Sequence, residues 1–190
     1  MSSQTSYDLN TVDVLWRRDL MRFLRQPTRI AGALGQPVLF WLMLGAGFAA
    51  TFQMPFQGDG AKPLGYMEFF FPGVVGMVLL FASIFAAVSI IEDRHQGFLQ
   101  AILAGPGSRW ALVMGKCLGA ATVALLQAGL FVLLAPFAGF SYLTIHWPLL
   151  LAAMTLMSVG LTALGFALAW LVDNVQGYHA IQMTLLVPLW

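Results

Sequence analysis

Four long stretches of the chain, each of 17 residues or more, carry no Lys, Arg, Asp or Glu: residues 30–58, 69–91, 117–172 and 174–190. A helix needs about 20 apolar residues to cross a hydrocarbon core about 30 Å thick. The first two stretches each hold one span. The third, 56 residues long, holds two spans and the turn between them. Pro136 stops one span, and the turn that follows contains Gly139, Ser141, Tyr142 and His146. The pattern therefore predicts spans over about 30–52, 69–91, 110–135 and 148–172. A fifth begins at Gly177 and has only 14 residues by Trp190. At 1.5 Å per residue that is about 21 Å, short of a crossing.

Ahead of the first span the period changes. Val12, Leu15, Trp16, Leu20, Phe23 and Leu24 recur at helical spacing as one apolar stripe. Arg18, Arg22, Arg25 and Arg29 line another face, with Trp16 and Arg17 beside them. A basic amphipathic helix of this kind, expected over residues 8–29, lies in the interface plane with its arginines near anionic headgroups. The fold class is all-α: a polytopic transmembrane helical bundle with an N-terminal amphipathic interface helix, incomplete at the C-terminus.

Composition agrees. Hydrophobic residues make up 59% of the 190 and charged residues 9%, with a mean hydropathy of +0.81. A soluble domain carries about 25% charged residues, so a water-solvated globule is excluded, as is a disordered chain. A net charge of +1 gives no field that favours nucleic acid. The single Cys117 excludes a disulfide framework within the chain and reads as a small packed side chain. The few basic residues are sorted. Eight fall before the first span or in and just after the 92–109 connection, and Lys62 alone falls on the other side. Positive loops face the cytoplasm, so the N-terminus is expected there.

The 92–109 connection is longer than a tight turn requires. Charged Glu92, Asp93 and Arg94 open it. Phe98, Leu99, Ile102 and Leu103 follow at one-turn spacing, Gly105-Pro106 is a helix stop, and Ser108 can cap the next helix. A short amphipathic helix over residues 98–104 is expected. Its apolar face either dips into the lipid interface or docks into a groove on another protein.

Catalytic and metal-binding patterns are missing. A phosphate loop needs Gly, four residues, then Gly-Lys-Ser/Thr; Gly115-Lys116 is followed by Cys117 and preceded at the required distance by Trp110. His95, His146 and His179 fall at different depths and form no set. Glu68 and Asp173 sit at span ends, so no carboxylate within a span suggests a proton relay. Gly115 and Gly119, four apart, permit close helix packing. Gln127 and Gln182 lie at membrane depth and are expected to hydrogen-bond within the bundle, or to line a substrate path.

The combination of Glu92, Arg94, Gly97, Phe98-Leu99, Ile102-Leu103, Pro106, Ser108-Arg109 and Gly115-Lys116 resembles the cytoplasmic loop of type 2 ATP-binding-cassette (ABC) exporter permeases. The daunorubicin and nodulation lipo-oligosaccharide exporter branch is the most similar. Trp16-Arg17-Arg18-Asp19-Leu20 through Arg25, Arg29, Gln36-Pro37 and Phe40-Trp41 resembles that family's interface helix and first span, and Phe71-Pro72-Gly73 its second. The resemblance implies a single ABC exporter transmembrane domain over residues 1–190 in a bacterial inner membrane. It implies a separate nucleotide-binding ATPase subunit that holds ATP and magnesium, a second permease subunit forming a homodimer, and export of a drug, lipid or (lipo)oligosaccharide. The loop helix becomes a coupling helix: Phe98, Leu99 and Ile102 fill the partner's groove, Glu92, Arg94 and Arg109 set its register, and Gly97 and Pro106 set its ends. The permease itself is not expected to be an enzyme. Family members have six spans, so the end at Trp190 reads as the middle of the fifth, and a truncated fragment is the expectation. Two other readings of the residues stay open: a non-transporting membrane anchor or assembly protein, whose loop helix binds lipid, and an ion-coupled carrier, disfavoured by the missing carboxylates.

Overall fold

The computed structural model describes residues 2–48, 65–98, 100, 104–105, 107–172 and 174–189, with the side chains of residues 2–3, 28–29, 33, 183 and 185–189 left out. Six α-helices are laid out in full among the described residues: α1 (Ser2–Leu24), α2 (Pro27–Phe48), α3 (Tyr66–His95), α4 (Arg109–Val132), α5 (Trp147–Trp170) and α6 (Val175–Leu189). A 3₁₀ turn at Ala135–Ala138 follows α4. No strand occurs among the described residues. Among the described residues, four helices are long and apolar enough to cross a membrane: α2 from Ile30, α3, α4 and α5. The chain is an all-α membrane bundle.

The element boundaries move from the expected ones for local reasons. The interface helix expected over 8–29 starts earlier, at Ser2, and ends at Leu24. Pro27 opens α2, since its ring suits a first helical position and disfavours helix in the residue before it. Arg25 therefore sits at the turn between α1 and α2, and Arg29 falls in the first turn of α2. At 30 residues α3 outruns the span predicted over 69–91. Its length of about 45 Å exceeds the hydrocarbon thickness, so a polar last turn projects beyond it. Glu68 caps its start by accepting the Gly65 N–H at 3.0 Å. At the other end the helix stops at Gly97, whose φ of +71° is left-handed and open to glycine at little cost.

α3 is the hub. At the end of the bundle away from α1, Trp41, Phe71 and Phe131 pack from α2, α3 and α4. The Phe71 and Phe131 rings stack 5.1 Å apart, and Trp41 meets Phe71 edge-on at 5.4 Å. Nearer α1, Leu80, Ile84 and Ile91 pack against Phe166 of α5 and Tyr178 of α6. The Tyr178 hydroxyl donates to the Gly165 carbonyl at 3.3 Å. The outer face of α5 exposes Leu149, Leu151, Leu156 and Val159, as a lipid-facing span does.

The apolar stripe of α1 packs against protein. The helix lies side by side with α4, in the same sense. Asp8 sits beside Ser108, Leu15 packs on Leu112, and Asp19 sits beside Lys116. The cause is the pair Gly115 and Gly119. A Cβ at Gly115 would lie 3.1 Å from the Val12 Cα, and one at Gly119 would lie 3.1 Å from the Asp19 Cβ. Glycine there removes the side chains that would hold the helices apart. Leu15 and Phe23 are accordingly buried in protein.

Candidate functional site

The base of the bundle, where α1 meets α3 and α4, holds a charge cluster. Arg18 and Asp19 come from α1, Asp93 from the projecting last turn of α3, and Lys116 from the second turn of α4. Lys116 is 1% exposed and Asp93 2%. The Lys116 ammonium pairs with the Asp93 carboxylate and reaches Asp19 Oδ1 at 3.4 Å. Arg18 donates to Asp93 Oδ1 at 2.9 Å, and its Nε lies 4.0 Å from Asp19. Two cations face two anions, so the buried group is neutral as a whole. Neutrality matters, because a lone buried ion costs several kcal/mol even after relaxation. Burial pushes the Asp19 carboxyl above its ordinary value, and the charges of Lys116 and Arg18 pull against that shift.

Further contacts surround the cluster. Arg22 and Glu92 form a more exposed pair at 3.4 Å. The Arg18 guanidinium stands 3.9 Å over the Phe98 ring, and the Trp16 indole N–H donates to the Thr122 hydroxyl at 3.0 Å. At the start of α1, the Asp8 carboxylate accepts the Ser108 N–H at 2.7 Å, which lowers the Asp8 pKa. The Ser108 hydroxyl caps α4 by accepting the Ala111 N–H. Arg94 closes the end of α5. It donates to the carbonyls of Ala169 at 3.1 Å and Val172 at 3.4 Å and lies 5.1 Å over the Trp170 ring. A cation at orphan C-terminal carbonyls also opposes the helix dipole favourably.

The residues expected to touch a partner divide into three groups. Glu92, Arg94 and Phe98 are engaged within the chain: Glu92 with Arg22, Arg94 with α5, and Phe98 with Arg18 and the Leu15–Leu112 contact. Gly97 ends α3, and Arg109 stands exposed in the first turn of α4. Leu99, Ile102 and Pro106 lie outside the described residues, as does most of the expected 98–104 helix. Along α1, Trp16, Arg18 and Arg22 turn inward, whereas Arg17 is exposed and pairs with Asp13 at 3.0 Å. Arg25 is exposed, and the Arg29 side chain lies outside the described residues. Gly115 and Gly119 both face α1. Gln182 meets His179 Nδ1 at 3.0 Å, as its polar depth requires. Gln127, expected to be bonded in the bundle, has no hydrogen-bond partner among the described residues.

Sequence reading missed Asp8, Asp19, Asp93 and Lys116 as a site, and it missed Trp110, which is 78% exposed at the base. The available signal was Lys116 in an apolar run. An ionisable group at that depth needs a counter-charge, and Asp93 and Asp19 were the nearest carboxylates at the same end. No group of three or more metal-ligating residues occurs among the described residues. The cluster has paired charges and no free nucleophile or base. Its chemistry is that of a clamp, which fastens α1 to two spans.

Residues 11–190 match the family described as ABC-2 type transporter. The chain is 28% identical over 196 aligned residues to a putative transport permease, ycf38, of Cyanophora paradoxa, with 99% of this chain and 64% of that one covered. It is 30% identical over 112 residues to the probable multidrug ABC transporter permease YbhR of Escherichia coli K12, covering 55% of this chain and 28% of that one. The chain thus spans less than two thirds of the length of these relatives. No solved structure gives a significant match.

Proposed function

The chain belongs to the ABC-2 type transporter family, and on that premise we propose that it acts as the membrane-spanning permease subunit of a bacterial ABC exporter. A separate nucleotide-binding subunit holds ATP and magnesium and supplies the hydrolysis. The base of the bundle faces the cytoplasm of a bacterial inner membrane. The support is that eight of the nine Lys and Arg lie at that end. A second copy of the permease completes the transport path, and the cargo is a drug, a lipid or a (lipo)oligosaccharide.

One observation carries the mechanical reading: the buried Arg18–Asp93–Lys116–Asp19 cluster joins α1, α3 and α4 at the end where the 92–109 connection emerges. A push on that connection reaches three helices at once. Arg94 and Phe98 transmit from inside the fold, and Glu92, paired with Arg22 but 41% exposed, stands where it can also meet the partner. The docking surface is left to Arg109, the exposed Trp110, and the exposed α1 side chains Tyr7 and Val14. Leu99, Ile102 and Pro106 complete it from the connection.

The test is co-purification and ATPase assay with the nucleotide-binding subunit. Trp110→Asp combined with Arg109→Glu is expected to lower transport-linked ATPase about tenfold or more, a loss of about 1.4 kcal/mol of coupling or greater. The same variant keeps the helical content of the wild type. Failure of any ATP-binding subunit to associate, or unchanged ATPase in this variant, contradicts the reading.

A further inference from the structure

Beside the charge cluster, two adjoining cavities open between α1, α2, α3 and α4. The narrower, about 60 Å³, is lined at its mouth by Asp19, Arg22 and Phe23 and runs along Ser89 and Ala86. The wider, about 310 Å³, continues past Phe81 to Gln36 and Pro37 of α2. Ala82, Phe85 and Gln127 form walls of both, so the two make one groove from the base of the bundle toward membrane depth.

Its chemistry is graded along its length. At the mouth, Arg22 pairs with Glu92 at 3.4 Å, its one ion-pair partner among the described residues, and both are more than a third exposed. A pair so open to solvent is weak, and its guanidinium has donors to spare. Arg25 follows at the exposed turn into α2. Deeper, the walls become aromatic and methyl. Within them sits Gln127, 6% exposed, with no hydrogen-bond partner among the described residues. Its amide faces the open space of the groove, where it can hydrogen-bond a polar atom of an occupant.

We propose that this groove binds one diacyl phospholipid with an anionic headgroup from the leaflet at the base of the bundle. The phosphate lies between Arg22 and Arg25. Gln127, one helical turn beyond Val123 on α4, donates to an ester carbonyl, which a phospholipid carries just below its phosphate. One acyl chain runs over Phe81, Ala82 and Phe85. Phe85 is partly exposed, which leaves the groove open sideways for a chain to enter. The inference goes beyond the transport reading. Binding here is measurable with no ATPase present, so its failure leaves that reading intact.

The test is native mass spectrometry of the purified full chain in detergent, offered equimolar phosphatidylglycerol and phosphatidylcholine. The wild type is expected to retain one phosphatidylglycerol about tenfold over phosphatidylcholine. Arg25→Glu brings that ratio near one. Phe85→Trp, a change at a partly exposed position that fills the groove, lowers retention of both lipids about fivefold or more, a change of about 1 kcal/mol. Arg17→Glu, on the exposed side of α1, leaves both unchanged. Equal retention of the two lipids by the wild type overturns the proposal. So does phosphatidylglycerol retention that survives both Arg25→Glu and Phe85→Trp. A loss in Arg17→Glu equal to that in Arg25→Glu also overturns it, by assigning the lipid to the general basic surface.

Discussion

The two ends of the bundle are held by different physics. At the far end Trp41, Phe71 and Phe131 pack as an aromatic cluster, with one long hydrogen bond from Trp41 to the Met67 carbonyl at 3.4 Å. At the base Arg18, Asp19, Asp93 and Lys116 form ion pairs with defined partners. Aromatic packing is dense but has many near-equivalent arrangements. Ion pairs in a buried site have few, because each displaced charge is left without a partner. The far end is therefore suited to sliding and repacking, and the base to moving as a unit.

The largest expected effect breaks the base. Asp93→Asn removes the carboxylate charge that Lys116 and Arg18 both face and leaves Asp19 to balance two buried cations. A loss of about 3–5 kcal/mol is expected in denaturant titration of the micelle-bound chain. Asp93→Leu with Lys116→Met removes the pair together and is expected to cost much less than either change alone. Next comes the far end. Phe71→Ala opens a cavity in the aromatic cluster and is expected to cost about 3 kcal/mol. Phe71 and Asp93 stand about 33 Å apart along α3, so their effects should add within about 0.5 kcal/mol. Strong coupling between them would collapse the contrast of two independent ends.

A smaller effect tests the seat of α1. Gly115→Ala places a methyl 3.0 Å from the Leu15 Cβ and 3.1 Å from the Val12 Cα. Backbone cannot yield as a side chain tip can, and about 1–3 kcal/mol is expected. Gly129→Ala, on the same helix with nothing within 4 Å, is the control and should cost nothing measurable. The smallest effect concerns pH. The Ser108 N–H holds the Asp8 carboxyl below its ordinary 3.8. A depressed carboxyl contributes stability that is fully present above the unfolded value and is lost as pH falls through the folded one. Proteolytic release of the start of α1 should therefore rise only below about pH 4. In Asp8→Asn that pH dependence should vanish.

Much of this fold was legible from where charges are absent. The four spans follow from bilayer thickness alone, and their boundaries shift by a few residues at Pro27 and at the polar turn of α3. The apolar stripe of α1 was legible too, but not what it covers. Leu15 and Phe23 fit lipid and protein equally well by period, and Gly115 and Gly119 decide for protein. The 92–109 connection was legible as an element with charged ends. The direction of its charges was not, because Glu92 and Arg94 find partners on α1 and α5, 70 and 75 or more residues away in the chain. The pairing of Lys116 with Asp93 was missed for the same reason: spacing shows which residues share a helix face, not which helices meet. Gln127 was legible as a polar group at depth, and only the cavities beside it show that its amide is left over.

The central claim is that the charge cluster fastens α1 to the spans, and amide hydrogen exchange over residues 12–22 tests it most directly. In the wild type these amides should be protected to the same degree as the base of α4. In Asp93→Asn their exchange should rise about 100-fold, as a loss of about 3 kcal/mol of local stability requires. Amides around Phe71 and Phe131 should stay unchanged. Exchange over 12–22 at the wild-type rate in Asp93→Asn would contradict the account.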